Sequence, residues 1–129
     1  MAKKPKDKSE HWKEEPEEHD FPAAADYLSL GFPEPEVAAI VELLKAAPTV
    51  HRKAKDLLRA SGLELLRASD PEVRNDLEKV AGGQRLSPVL LVRGRGGTPL
   101  VVADGYHRIC ASYHLDEDVA IACRLVDAP

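Results

Sequence analysis

After a polar opening stretch, the first apolar spacing with a helical period runs through Val37, Ile40, Val41 and Leu44, at i, i+3, i+4 and i+7. That spacing puts all four on one face of a helix. Pro33 and Pro35 stand where such a helix opens and Pro48 just beyond its end. Ahead of it, "PAAADYLSL" predicts a shorter helix with Asp20 as N-cap and Gly31 as stop. Behind it, "VHRKAKDLLRAS" predicts a third, capped by Thr49, with Ala54, Leu57 and Leu58 inward and Gly62 terminating it. From residue 63 the period alternates. "LELL" is short enough for a strand, while "SDPEVRNDLEKVAGG" has Ser69, Asp70, Pro71 and Glu72 as a helix start and a glycine pair as its end. "SPVLLV" is a continuous apolar run with β-branched members and predicts a buried strand. "RGRGGT" then reads as a turn, "PLVVAD" as a strand, and "GYHRICASYHL" as a helix entered directly through a glycine turn. "VAIACRLV" closes as a strand with Val119, Ile121, Cys123 and Leu125 on one face. The predicted fold class is α/β (mixed α+β): a small mixed sheet with helices over residues 63–129, and a helical extension over 20–62 packed on it.

Residues 1–19 stand outside this pattern, being almost all charged or polar with one Trp, and predict a disordered charged tail. The 129 residues, 43% hydrophobic and 31% charged, suffice for one core but hardly two. No stretch approaches the roughly 20 apolar residues of a membrane span, and residues 1–20 contain no apolar run that could serve as a secretory signal. The expectation is a cytoplasmic protein without a membrane partner, in which Cys110 and Cys123 are buried thiols. A net charge of −4 argues against a general nucleic-acid binder, so DNA is not an expected partner of this chain alone. Charge is uneven, however, with ten Lys/Arg against six Asp/Glu over residues 49–95. That excess leaves room for an anionic small ligand.

The candidate chemistry lies in "VVADGYHRICASY", residues 101–113. A strand delivering a glycine turn to a helix N-terminus gathers unpaired N–H groups and the positive end of the helix dipole, which together bind anions. Gly105 allows close approach, Arg108 can fork two hydrogen bonds to a phosphate, and His107 adds a donor of adjustable charge. Asp104 has two readings: a cap for the helix, or a ligand or base near the Mg²⁺ of a nucleotide. Tyr106 and Tyr113 can stack on a base or pack in the core. Lys53 and Lys55, beside Arg52 and Arg59, form either a solvated basic face or a supplement to Arg108 on a triphosphate. His107, Cys110 and His114 share a helix face, but no fourth ligand is fixed by spacing, so no metal site is assigned.

The segment from "LEKVAGGQRLSPVLLV" through "VVADGYHRICASYHL" to "VAIACRLV", about residues 71–126, resembles the ParB/sulfiredoxin superfamily. Gly83, Pro88, Gly105, His107, Arg108 and Ala111 fall where that family has its strand-leading Gly and Pro, its G-x-H-R turn and the Ala three residues beyond. The resemblance implies that Gly105, His107 and Arg108 hold nucleotide phosphates, with ATP or CTP, and its Mg²⁺, as cofactor, and Tyr106 joins them as a cofactor-binding candidate. For an NTPase or phosphotransfer reaction to an unidentified acceptor, the catalytic candidates at this turn are Asp104, as metal ligand or base, and His107. Two departures narrow this. Tyr106 stands where sulfiredoxins carry their reactive Cys, and partition proteins continue into a helix-turn-helix region beyond the segment matched here, so sequence-specific DNA partitioning is not expected of these residues. Free serine kinases fit the Asp-Gly-x-His-Arg wording best, yet their catalytic carboxylate lies upstream of the matched segment. A non-catalytic interaction module of a partition or mobile-element system, with a protein partner, is the alternative.

Overall fold

The computed structural model describes residues 11–129. Helices α1 (Asp20–Leu28) and α2 (Glu34–Ala46) precede strand β1 (Val50–Lys53), helices α3 (Ala54–Ser61) and α4 (Pro71–Ala81) and strands β2 (Val89–Arg93) and β3 (Val101–Asp104). Helix α5 (Tyr106–Leu115) and strand β4 (Ala120–Asp127) complete the chain. The strands make one sheet in the order β1-β4-β2-β3. Its central pair, β4 and β2, is parallel; β1 on β4 and β3 on β2 are antiparallel. The protein is thus a small mixed α/β fold, as the sequence pattern predicts.

Helices cover both faces of the sheet, and this explains the unbroken apolar run in β2. Val89 and Leu91 pack with Leu57, Val73, Ile109 and Cys110 on the α3–α5 side, whereas Leu90 and Val92 pack with Leu28, Ile40 and Leu44 on the α1–α2 side. A strand buried on both faces has no polar side to alternate with. In β4, Ile121 and Cys123 join the first face, with Val119 and Leu125 beside them, as their spacing predicts. Arg124 takes the other side. Its Nη1 donates to the carbonyls of Leu44 (3.1 Å) and Lys45 (2.8 Å), placing a buried cation on the carbonyl end of α2.

Three expectations differ from the structure. Residues 50–53, predicted as the start of a helix, form β1 instead, with Val50 opposite Cys123 and Lys53 opposite Ala120. The edge of β4 supplies backbone partners that outweigh four residues of modest helix propensity. Helix α3 therefore begins at Ala54 and ends on Gly62, which takes φ +69° as a helix stop should. Thr49 does not cap it; the Thr49 hydroxyl donates to the Glu14 carbonyl at 2.6 Å. Residues 63–66, the "LELL" segment, are not a strand. Side chains of α5 claim their backbone: the Tyr106 hydroxyl donates to the Glu64 carbonyl, and His114 Nε2 lies 2.7 Å from the Leu66 carbonyl.

The third difference is the tail. Its first ten residues lie outside the described ones, but residues 11–19 belong to the fold. Trp12 is only 4% exposed and packs into the α3–α5 side of the core. Leu86 N donates to the His11 carbonyl (2.7 Å) and Lys13 N to the Leu86 carbonyl (2.8 Å), so the segment runs beside Leu86 as a short parallel bridge. One indole buries enough apolar surface, with two backbone hydrogen bonds, to order a stretch that composition marks as solvated. Among the described residues no helix is long and apolar enough to cross a membrane.

Candidate functional site

The turn between β3 and α5 is built around Gly105, at φ +111°. A side chain here would meet Val89 Cγ1 at 2.4 Å from its Cβ and Arg108 Nη2 at 2.8 Å. Glycine is thus required by the packing of the turn on β2, in addition to any need for a ligand to approach. Helix α5 starts with no side-chain cap, and its first internal bond runs from Ile109 N to the Gly105 carbonyl at 3.0 Å. This overturns the capping reading of Asp104. The N–H groups of Tyr106, His107 and Arg108 precede that first bond and have no partner within the helix.

Asp104 turns to Arg108 instead. Its Oδ2 accepts from Arg108 Nη2 at 2.8 Å, Ser87 Oγ accepts from Nη1, and Asp20 Oδ1 stands 3.8 Å from Nη1. Asp20, expected as an N-cap, is in fact the first residue of α1; its carboxylate is buried and also accepts from Glu17 N at 2.9 Å. Two carboxylates therefore share one guanidinium that is itself only 13% exposed. Burial pushes the Asp104 carboxyl above the usual aspartate range, the Arg108 charge opposes that rise, and the nearby Asp20 adds to it. Arg108 is a buttress that ties the turn to the end of β3, to the stretch before β2 and to α1, not a side chain waiting with both arms free.

These residues floor a cleft of about 460 Å³. One wall is α4, whose Glu72, Asn75, Asp76 and Lys79 share a face by their i, i+3, i+4, i+7 spacing. Lys13 and Glu17 of the N-terminal segment and Gln84, Arg85 and Ser87 of the stretch leading into β2 also line the cleft. Much of the charge is paired internally. Lys13 binds Glu17, Arg108 serves Asp104 and Asp20, and His107 Nδ1 lies 2.8 Å from Glu72 Oε2. Among the described residues, Lys79 and Arg85 are the lining cations left without an ion pair, and Asp76 is the lining carboxylate left without one. Asp76 is 8% exposed; burial raises its carboxyl above the usual range, against the lowering fields of Lys79, Arg108 and His107.

The expected site residues thus divide. Asp104, Gly105, Tyr106, His107 and Arg108 all line the cleft. Tyr106 nevertheless commits its hydroxyl to Glu64, so it braces the 63–67 segment. Lys53 and Lys55 are elsewhere: both face Asp118, at 3.9 and 2.7 Å, beyond the C-terminal end of α5. A ten-residue helix is about 15 Å long, and the turn lies at its other end. His107 and His114 point to Glu72 and the Leu66 carbonyl, and among the described residues no group of three His, Cys, Asp or Glu could hold a metal ion. Cys110 and Cys123 are buried and unbonded. Sequence reasoning missed Lys79, Arg85 and Asp76, which read as ordinary polar positions of a helix and its exit loop. No family model, curated protein or solved structure matches the chain.

Proposed function

We propose that this protein binds a nucleoside triphosphate in the cleft, with the phosphates at the N-terminus of α5. The observation that carries the reading is the coincidence in one cleft of three N–H groups at an uncapped helix start and two cations, Lys79 and Arg85, that have no ion pair among the described residues. Backbone N–H groups at a helix start and fixed cations are the pair of features that phosphate groups seek. His107 adds a donor at the rim, and Arg108, held by Asp104, Asp20 and Ser87, fixes the turn's shape. The G-x-H-R resemblance points to the same turn, with ATP or CTP as ligand. Mg²⁺ belongs to the nucleotide as part of the substrate, because the Asp104 carboxylate is committed to Arg108. Stabilisation of charge on the transferred phosphoryl group by Lys79 and Arg85 would support hydrolysis or transfer to a small hydroxyl acceptor. Two unpaired thiols and a nucleotide ligand fit a cytoplasmic setting.

A second reading, a non-catalytic module that holds a nucleotide or a partner's carboxylate as a switch, draws on the internal satisfaction of Arg108. Thermal unfolding with ATP, CTP and inorganic pyrophosphate tests the shared premise. Ligand at 100 times its dissociation constant stabilises the fold by about 2.7 kcal/mol. Lys79→Met and Arg85→Met should each remove most of that gain, and Lys53→Ala and Lys55→Ala none of it. An unchanged transition with every ligand contradicts both readings. Phosphate release from the bound nucleotide then separates them.

A further inference from the structure

Resting on the nucleotide reading above, we infer that Asp76 is the general base of this site, taking the proton of a water that attacks the terminal phosphoryl group. Its setting is unusual for an aspartate. Side chains of this type are almost never buried unless paired, yet Asp76 is 8% exposed, lines the cleft, and its carboxylate makes no hydrogen bond or ion pair with the described residues. An aspartate that serves only the fold would be expected to cap a helix or pair with a cation, as Asp70 does in accepting from Glu72 N and Val73 N at the start of α4. Asp76 does neither, and Lys79, one turn along the same helix, does not bind it. A buried carboxylate left open to a cleft keeps its lone pairs for something that enters.

The other groups around it fix the role. On α4, Glu72 and Lys79 flank Asp76; from β3 and α5, Asp104, His107 and Arg108 face the same space. Arg85, Lys13, Glu17, His19 and Asp20 line the same cleft. Glu17, Glu72, Asp20 and Asp104 already have cationic or histidine partners. Asp76 is therefore the lining carboxylate free to accept a proton. In the step, water's oxygen forms a bond to the terminal phosphorus while its proton passes to Asp76. The bond from that phosphorus to the bridging oxygen breaks, and its electron pair leaves with the nucleoside diphosphate. The proton then returns to solvent through the open cleft. The raised carboxyl of Asp76 suits this task, since a base is most effective when its pKa approaches the working pH.

Asp76→Asn, Asp76→Glu and the unmodified chain, each with ATP and CTP, supply the test through three measurements. Calorimetric binding should be retained in Asp76→Asn, within about threefold. Phosphate release should fall by about 100-fold or more, the scale of a lost general base, with partial recovery in Asp76→Glu. The pH profile of the unmodified protein should lose activity as pH falls through a value above the ordinary aspartate 3.8, and Asp76→Asn should lack that limb. Its melting temperature at pH 7 should be unchanged or higher, because a desolvated charge has been removed. A variant that melts lower and loses activity makes Asp76 structural and overturns the inference. So does equal phosphate release by Asp76→Asn, or binding without any release by the unmodified chain; both leave the nucleotide reading standing. A chain that binds neither nucleotide removes the two together.

Discussion

Replacing Arg108 by Met keeps the length of the side chain and removes its charge, leaving Asp104 and Asp20 facing one another with no cation between them. The side chains of Arg108, Asp104 and Asp20 are 13, 21 and 5% exposed, so solvent relieves little of the loss. Breaking a buried pair by removing one partner costs about 3–5 kcal/mol, and the partial exposure of Asp104 argues for the lower end, about 3 kcal/mol. Against a total stability of about 5–15 kcal/mol, this lowers Tm by about 10 °C. The penalty depends on pH, and its sign follows from the protonation state. Asp104 already has its carboxyl raised above 3.8, and Arg108 is the charge that opposes the rise, so the substitution raises it further. A group whose folded pKa exceeds its unfolded value binds more protons when folded, so the fold loses stability as pH climbs through that value. Urea unfolding at pH 7 and at pH 4 should therefore show a large penalty in the first and a smaller one in the second. Adding Asp104→Asn should recover part of the loss at pH 7. A penalty equal at the two pH values, or none at pH 7, refutes the argument that Arg108 is held by desolvated carboxylates.

Trp12→Ala should cost about 3–5 kcal/mol, the range for a buried aromatic cut to Ala, read as an earlier urea midpoint; a neutral result would place the indole outside the core. Deleting residues 1–19 should destabilise to a similar degree for the same reason. In the native protein, Cys123, pushed up to about 11 by burial, should resist iodoacetamide at pH 8, and Cys110, also raised, should lag a free thiol; denaturation should expose two free thiols. Rapid native labelling of Cys123 would contradict its place in the sheet.

How much of this was legible in the sequence varies with the range of the forces involved. Helix α2 and strand β4 follow from local spacing, because a face that must be buried repeats at the period of its element; β2 follows from its unbroken apolar run and α4 from its start and stop residues. Asp70 caps α4 where its sequence placed it, accepting from Glu72 and Val73 N. Strand β1 was hidden because "VHRK" runs into a helical pattern without a break, and only the free edge of β4, some 70 residues away in sequence, makes it a strand. Trp12 has no periodic neighbour, so its burial depends on the groove beside Leu86 rather than on any pattern around it. At the site, the turn residues 104–108 were visible because strand, glycine and helix are contiguous. Lys79, Arg85 and Asp76 were not, since their meaning lies in what fails to pair with them once α4 packs against α5. The capping reading of Asp104, one of two open in the sequence, failed on a similar point: Arg108, one helical turn on, takes its carboxylate in place of the backbone N–H groups.

The most direct test of the nucleotide reading is a ¹H–¹⁵N correlation titration of the folded chain with ATP and CTP. A phosphate seated on the N-terminus of α5 draws the amide protons of Tyr106, His107 and Arg108 into charge-assisted hydrogen bonds. Those three amides should show the largest shifts, with smaller ones at Lys79 and Arg85, saturating at one nucleotide per chain, while Lys53 and Lys55 stay unmoved. Saturating shifts centred on Lys53 and Lys55, or no shift at 106–108 at millimolar nucleotide, would contradict it.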